Sequence, residues 1–298
     1  PNHADALHHK GVSLASIGKH SEAISLYDKS LQLNPKSADT LNDKGFSLQK
    51  LGYYENSLLC FDRAITLDPK CVGALYNKGL LLASLGNHAK ALDYFKSVLA
   101  ITPEHQDASI ASAKSLAITG RYANALEIYD KILEKNPSHI ISLFEKGLAL
   151  NKLAKHTDAL KCFDAVLSYD KTNLSVLFEK AKTLAALDQD EKSLAIYDKI
   201  LEKNPQHILA LYHKGISQLK LGSPSNALSY FDRALAINPN NADILCHKGM
   251  ALVSNPNEAL VCYNKALAIS PNNSDILYQK AHLLLNMDKS QDALAILD

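Results

Sequence analysis

The chain has 298 residues, of which 47% are hydrophobic and 21% are charged, and this balance is typical of a folded protein rather than a disordered one. Lysine and arginine number 32 against 31 aspartate and glutamate residues, so the formal net charge of +1 offers no general attraction to a polyanion and argues against nucleic acid as the main partner. No apolar stretch approaches the ~18 residues that a membrane-spanning helix needs, so we expect no membrane segment.

Prolines recur at a spacing of 34 residues along most of the chain. They occupy positions 1, 35, 69, 103, 137, 205, 239 and 271, where the step from 137 to 205 is two periods and the last step is 32 residues. Such a period predicts stacked copies of one structural unit, because each copy must end its helix at the same place. The single array that we infer consists of repeats 4–37, 38–71, 72–105, 106–139, 140–173, 174–207, 208–241, 242–273 and a partial repeat 274–298. Since the first proline aligns with one that closes a repeat, we expect the chain to be a fragment of a longer protein.

Each repeat is predicted to form two antiparallel helices joined by a tight turn. In the first repeat, Leu7, Gly11 and Leu14 lie on one face of a helix, and the small residue allows a second helix to come close. Gly18 fits the left-handed conformation that ends a helix. The second helix carries an apolar stripe that includes Tyr27, and Asn-Pro or Asp-Pro pairs stop this helix before the next repeat begins.

Two repeats depart from the pattern. In the fourth repeat, Ser109 replaces the leucine that the other repeats carry at their fourth position, and small residues follow it. This change predicts either a shallow notch between the third and fifth repeats or a weak, mobile repeat, and the loss of a core leucine favours the second. The eighth repeat has 32 residues, and we place its shortening in the inner turn at residues 253–258, where it should tilt the helices that follow.

The repeat pattern resembles that of the tetratricopeptide repeat family. The motif is L-x-x-x-G-x-x-L-x-x-x-G, followed by A-x-x-x-[YF]-x-x-A and a closing proline at a period of 34 residues, and it covers essentially the whole chain. The resemblance implies an all-α fold, namely an α-solenoid of helix-turn-helix repeats coiled into a right-handed superhelix. It also implies that the first helix of each repeat lines a concave groove, with positions five, six and nine among those that face a bound protein.

Transferring these groove positions onto the chain selects fifteen candidate binding residues. They are Asn42, Phe46, Tyr76, Asn77, Leu80, Phe144, Glu145, Leu148, Phe178, Glu179, Tyr212, His213, Ile216, His247 and Met250. Phe144, Phe178 and Tyr212 occupy position five of three consecutive repeats and would form an aromatic ladder, a kind of surface that often marks a binding site. The alternative is that position five packs against the neighbouring repeat and completes the core.

One specific function of the resembling family can be tested from the residues. Members that bind the C-terminal tails of chaperones hold the terminal carboxylate with lysine, asparagine and arginine at set positions of three successive repeats. Of those positions only Asn77 matches here, because no repeat has lysine at position five, asparagine at nine or arginine at six. We therefore expect no chaperone-tail clamp.

The residues that could carry chemistry show no catalytic or metal-binding arrangement. The five cysteines are odd in number and lack C-x-x-C spacing, so neither a zinc site nor a disulfide framework is indicated. His213 and His247 occupy the same position of successive repeats and should lie about 10 Å apart, the distance between packed helices, which is too far to share one zinc ion. No local nucleophile motif is present, so we expect no enzyme, no catalytic residue, no metal and no cofactor.

The sequence therefore predicts a non-catalytic scaffold that holds a peptide or helix of a partner protein in its groove. Self-association through uncapped ends is one alternative. Another is a substrate-recruiting arm of an enzyme whose catalytic domain lies outside this segment. The cysteine usage favours a reducing compartment, and we expect the protein to be cytoplasmic.

Overall fold

The computed structural model describes residues 3–252 and 254–297, which form eighteen α-helices and contain no β-strand. The helices fall into two compact parts, the N-terminal part ending at Leu153 and the C-terminal part beginning at Ala154. The N-terminal part contains α1 (Ala4–Ser16), α2 (His20–Leu33), α3 (Ala38–Lys50), α4 (Tyr54–Leu67), α5 (Val72–Ser84), α6 (His88–Ile101), α7 (Gln106–Ile118), α8 (Tyr122–Lys135) and α9 (Ile140–Lys152). The C-terminal part contains α10 (His156–Tyr169), α11 (Leu174–Ala186), α12 (Asp190–Lys203), α13 (Ile208–Lys220), α14 (Pro224–Ile237), α15 (Ala242–Ala251), α16 (Pro256–Ile269), α17 (Ser274–Asn286) and α18 (Ser290–Leu297). The predicted all-α, α-solenoid class is confirmed, with odd-numbered helices as the first and even-numbered helices as the second of each repeat.

The two helices of a hairpin pack through a small residue of the first and an aromatic ring of the second. A Cβ atom added to Gly215 would lie 2.5 Å from Cε1 of Phe231, so the ring occupies the place of the missing side chain. Gly79 has the same relation to Phe95, at 2.6 Å. The rings of Phe95 and Phe231 are fully buried, which makes this contact the centre of each hairpin core.

The inner turn of most hairpins ends in a glycine with positive φ. The φ angles of Gly18, Gly52, Gly86, Gly120 and Gly222 lie between +71° and +82°, as the sequence pattern predicts. Ala154, Asp188 and Asp288 occupy the same position in other repeats and have φ angles of 57°, 55° and 59°. This conformation is about 1 kcal/mol less favourable for a residue with a Cβ atom than for glycine, so these three turns are strained.

Replacing Ala154 by glycine should relieve this strain and raise the free energy of unfolding by about 1 kcal/mol. As a matched control, Ala195→Gly lies at an exposed site within α12 and should lower it by about as much, since glycine weakens a helix interior. Urea denaturation of the two variants measures both effects. Equal destabilisation by both substitutions would show that the turn at Ala154 carries no strain.

The second helices end at the same backbone geometry with or without the closing proline. Asn204, which precedes Pro205, has φ −136° and ψ 88°. Asp170 precedes a lysine and has φ −135° and ψ 94°. Its side chain accepts a hydrogen bond of 2.9 Å from the backbone N–H of Thr172, and Asp68 accepts the same bond from Lys70 in a turn that contains the proline, so this bond is common to both kinds of turn.

The eighth repeat is shortened in its first helix and not in its inner turn. Helix α15 has 10 residues where the other first helices have 13, while the following turn is one residue longer than in the other repeats. Pro256 occupies the first position of α16, and the side chain of Asn255 caps the N-terminus of that helix. The prediction that placed the shortening at 253–258 was wrong in this respect, and Val253 itself lies outside the described residues.

Neighbouring repeats are joined by a recurring ion pair. A lysine of the first helix contacts an aspartate sixteen residues earlier, on the second helix of the preceding repeat. The pairs are Lys44–Asp28, Lys78–Asp62, Lys146–Asp130, Lys180–Asp164, Lys214–Asp198 and Lys248–Asp232. The junction between the third and fourth repeats has Lys96 and Ser112 at these positions, so the ion pair cannot form there.

Candidate functional site

The candidate binding residues lie on the first helices, which contact one another from repeat to repeat within each part. We call the surface that these helices present the first-helix surface. In the N-terminal part it is formed by α1, α3, α5, α7 and α9, and in the C-terminal part by α11, α13, α15 and α17. The two parts carry separate stretches of this surface, which are described in turn.

In the N-terminal part, a row of hydrogen-bonded polar side chains crosses three first helices. His8 Nε2 on α1 lies 2.7 Å from Asp43 Oδ2 on α3. Asn42 donates from Nδ2 to the other carboxylate oxygen of Asp43, at 3.1 Å. Asn77 on α5 donates from Nδ2 to Asn42 Oδ1, at 2.9 Å. We call these four residues the polar row; each is partly exposed, so its outer edge meets solvent.

Apolar side chains flank the polar row one helical turn further along the same helices. Phe46 follows Asn42 by four residues and is 37% exposed, and Leu80 follows Asn77 by three and is half-buried. The ammonium of Lys50 lies 5.0 Å from the centre of the Phe46 ring. Tyr76 is half-buried, because its ring packs on the ring of His105, the N-cap residue of α7, 5.0 Å away. Polar and apolar contacts are therefore available side by side.

Further along the N-terminal part, the first-helix surface carries an ion pair. Lys114 Nζ on α7 lies 2.7 Å from Glu145 Oε1 on α9. Phe144 and Leu148 lie beside Glu145 on α9, and all three are half-buried. Glu145 is thus already paired within the chain.

In the C-terminal part, Phe178 belongs to the core. Its side chain is 8% exposed, and its ring lies 5.6 Å from the ring of His207, the N-cap residue of α13, and 5.4 Å from the ring of His213 on α13. The structure therefore favours inter-repeat packing for Phe178, the alternative that its sequence position left open. Glu179, the next residue, pairs with Lys182 at 3.2 Å.

Histidine and tyrosine rings fill the space between α11, α13 and α15. His213 stacks on Tyr197 with ring centres 6.4 Å apart. Burial first, and then the charges of Lys182 and His247, lower the pKa of His213 to about 4. The Tyr212 hydroxyl lies 3.1 Å from His247 Nδ1 on the next first helix, and burial is the largest cause that raises the pKa of this tyrosine to about 12.

Of the candidates in the C-terminal part, Met250 is the most exposed. Ile216 follows Tyr212 by four residues and is half-buried, while Met250 on α15 is 37% exposed.

Sequence reasoning selected Asn42 and Asn77 but missed His8 and Asp43. A signal for these two residues is present in the sequence, because all four residues of the row occupy positions five and six of successive repeats. Side chains at those two positions of adjacent repeats meet across the helix contact, so a search for complementary pairs there would have found the row.

The described residues also show whether the chain carries a metal cluster, a membrane-spanning helix or exposed cysteines. In the ranges 3–252 and 254–297, no group of three or more histidine, cysteine, aspartate or glutamate side chains could hold a metal ion. Among the same residues, no helix has both the length and the hydropathy to cross a membrane. All five cysteines are buried thiols outside any disulfide.

Family models of the tetratricopeptide repeat match the chain at 4–37, 42–105, 82–143, 208–241 and 262–295. A further model, described as Psidin, N-terminal TPR repeats region, matches residues 116–214. A search of curated protein sequences gave no match.

Several solved structures are similar in fold. A tetratricopeptide repeat protein from Parabacteroides merdae ATCC 43184 is 18% identical, with a TM-score of 0.65 over 84% of this chain and 98% of that one. YrrB, described as a TPR protein with an unusual peptide-binding site, is 24% identical, with a TM-score of 0.55 over 63% of this chain and 97% of YrrB. The APC/C hetero-tetramer Cut9–Hcn1 is 18% identical, with a TM-score of 0.64 over 94% of this chain but only 55% of the other.

At these identities the solved structures establish the fold alone, whereas the family models identify the repeats from sequence along nearly the whole chain. The structure agrees with those models. In its hairpin cores a small residue packs against an aromatic ring, and glycines with positive φ lie in the inner turns. The chain belongs to the tetratricopeptide repeat family.

Proposed function

We propose that this chain is a non-catalytic protein-interaction scaffold whose first-helix surface binds an extended peptide segment of a partner. The family to which it belongs is one of protein-interaction scaffolds. The single observation that carries the proposal is the polar row of His8, Asn42, Asp43 and Asn77, with exposed Phe46 beside it.

The amide side chains of the row suit a peptide backbone. Asn42 and Asn77 each combine donors and acceptors, and the bonds within the row use only part of that capacity. The row also fixes the orientation of each amide in advance, so little side-chain freedom is lost when a peptide binds. Phe46 and Leu80 would accept apolar side chains of the same peptide.

Other parts of the molecule are weaker candidates for this role. Phe178 is buried, while Glu145 and Glu179 are paired with lysines of the chain. Tyr212, His213, Ile216, His247, Met250 and the α9 residues Phe144 and Leu148 remain candidate contacts of the same kind. YrrB, a similar structure, is described by its peptide-binding site, which agrees with a peptide as ligand. The buried cysteine thiols agree with a reducing compartment such as the cytoplasm.

Selection of a random peptide library on the purified protein tests the proposal. We expect selected peptides to bind the double variant Phe46→Ala, Asn77→Ala at least about tenfold more weakly, since one apolar anchor and one hydrogen-bonding side chain are lost. The matched control Asn56→Ala, Leu59→Ala changes the same residue classes at exposed sites on α4 and should alter affinity less than about twofold.

Two results would overturn it. One is a selection that yields no peptide above background, and the other is peptides that bind the double variant and the wild type equally. Light scattering at several concentrations, run alongside, separates peptide binding from self-association, because only self-association raises the mass of the protein alone.

A further inference from the structure

Three of the first helices begin after a histidine whose ring accepts a hydrogen bond from the backbone. The Nδ1 atom of His105 accepts from the N–H of Ala108, the third residue of α7, at 3.2 Å. His139 and His207 accept the same bond from the third residues of α9 and α13, at 3.2 Å and 3.1 Å. We call these three residues the histidine caps. Each satisfies a backbone donor that the first turn of a helix leaves without a partner inside the helix.

This geometry fixes the protonation state of the three rings. A backbone N–H can only donate, so Nδ1 must offer a lone pair, and the hydrogen of the neutral ring then lies on Nε2. A protonated imidazole carries a hydrogen on both nitrogens and cannot accept the bond. Its charge would also face the N-terminal end of a helix, where the helix dipole disfavours a cation. Protonation therefore removes the cap.

Three other first helices carry a cap that does not respond to pH. The Oδ1 atoms of Asn173, Asn241 and Asn273 accept the equivalent N–H on α11, α15 and α17, at 3.2, 3.0 and 3.2 Å. These asparagines occupy the same repeat position as the histidine caps, so asparagine fits that position. Since an amide side chain does not titrate, the chain contains its own comparison between two kinds of cap.

Two of the capping rings also pack on the preceding first helix. The ring of His105 lies 5.0 Å from the ring of Tyr76 on α5, and the ring of His207 lies 5.6 Å from that of Phe178 on α11. All three histidine caps are partly exposed, so protons from solvent reach them. The caps therefore lie where neighbouring first helices meet, and not at isolated helix ends.

The groups around His105 do not replace the lost bond. Asp107 is exposed in the first turn of α7 and would attract an imidazolium, but it leaves the backbone N–H without an acceptor. Glu104 pairs with Lys135 of α8 at 2.5 Å, and the last turn of α6 is apolar. On α5, burial and then the charge of Asp107 raise the pKa of Tyr76, so its hydroxyl stays neutral at acidic pH.

The groups around His207 also leave the cap dependent on the neutral ring. On α11, Glu179 pairs with Lys182, whose ammonium lies 5.4 Å from the centre of the Phe178 ring. His213 of α13 packs on the same ring, and burial is the largest cause that lowers its pKa to about 4, so it is neutral at pH 5.

His139 and His207 follow helices with identical ends. The stretch IYDKILEKNP closes both α8 and α12, and each copy carries one exposed glutamate and one exposed lysine in its last helical turn. At His139, the flanking first helices α7 and α9 contribute Lys114 and Glu145, which pair with each other at 2.7 Å. Opposite charges are thus balanced on the elements beside both caps.

We propose that the histidine caps form an acid-sensitive switch, which releases the first turns of α7, α9 and α13 while α11, α15 and α17 keep their asparagine caps. Imidazole in water has a pKa of about 6.5, so the caps are complete at pH 7 and are lost as the pH falls toward 5. The switch acts in the chain alone, so it holds whether or not the first-helix surface binds a peptide.

Hydrogen exchange of single amides, followed by NMR at pH 7 and pH 5, tests the switch in the wild-type chain. After correction for the intrinsic exchange rate, the protection of the N–H groups below the histidine caps should fall at least about fivefold, the effect of one lost cap. These are the N–H groups of Ala108, Ser142 and Ala210. The N–H groups below the asparagine caps, in Val176, Ile244 and Ile276, should change less than about twofold. A general loss of stability in acid would lower both sets alike.

The triple variant His105→Asn, His139→Asn, His207→Asn should keep the protection of both sets between pH 7 and pH 5. His213 is unchanged in it, so any effect of protonating that residue is common to both proteins. His9→Asn, which alters an exposed histidine within α1, is the matched control and should retain the wild-type response. Equal changes of the two sets in the wild type would overturn the proposal, as would a triple variant that loses protection at α7, α9 and α13 as the wild type does.

Discussion

Replacing Phe178 by alanine is expected to lower the free energy of unfolding of the C-terminal part by about 3 to 5 kcal/mol, the usual cost of deleting a buried aromatic ring. The ring is 8% exposed and lies against Tyr197 of its own hairpin and against His207 and His213 of the next. Removing it would leave a void where two repeats meet, and the ring contacts of both histidines would be lost.

Tyr278→Ala is the matched control for this prediction. Tyr278 occupies the same repeat position as Phe178 but is 62% exposed, so its loss should change stability by less than about 0.5 kcal/mol. Because a repeat array need not unfold in one step, urea denaturation should be combined with hydrogen exchange of the α11–α13 amides. If Phe178→Ala left stability unchanged and instead weakened binding of selected peptides, Phe178 would belong to the binding surface.

The contrast between these two residues shows what the sequence could and could not predict. The repeat period, the helix pairs, the turn glycines and the small residue opposite each aromatic ring all follow from local geometry that is the same in every repeat. The exposure of position five does not, because it depends on which side chains the adjacent repeat presents. His207 and His213 cover Phe178, whereas the Tyr278 ring contacts His282 of its own helix.

The junction between the third and fourth repeats is a second feature that the sequence predicted only in part. The loss of leucine at Ser109 was visible in the sequence and suggested a notch or a weak repeat. The structure places a cavity there, and the lysine–aspartate pair that joins other repeats is replaced by Ser112 and Lys96. Both changes fall at one junction, so this junction has lost a core side chain and a surface ion pair together.

Acidification is expected to destabilise the C-terminal part through His213. The pKa of this imidazole is lowered from 6.5 to about 4, first by burial and then by the charges of Lys182 and His247. In the unfolded chain the same group takes up a proton near pH 6.5, so between pH 6.5 and 4 the unfolded state binds a proton that the folded state does not. The contribution of His213 to the free energy of unfolding is therefore fully present at pH 7. It falls as the pH is lowered and levels off below about pH 4, with a total loss of about 3 kcal/mol.

His213→Gln should remove this part of the pH dependence, since glutamine already occupies the equivalent position of the last repeat at Gln279. The variant would be less stable than the wild type at pH 7 if the stacking on Tyr197 is lost, but its stability should change less between pH 7 and 4. His9→Gln alters an exposed histidine in the same repeat position and should retain the wild-type pH profile. Urea denaturation at several pH values measures all three proteins. Identical pH profiles for wild type and His213→Gln would mean that His213 is protonated in the folded state as readily as in the unfolded chain, and that its packing against Phe178 and Tyr197 does not exclude water.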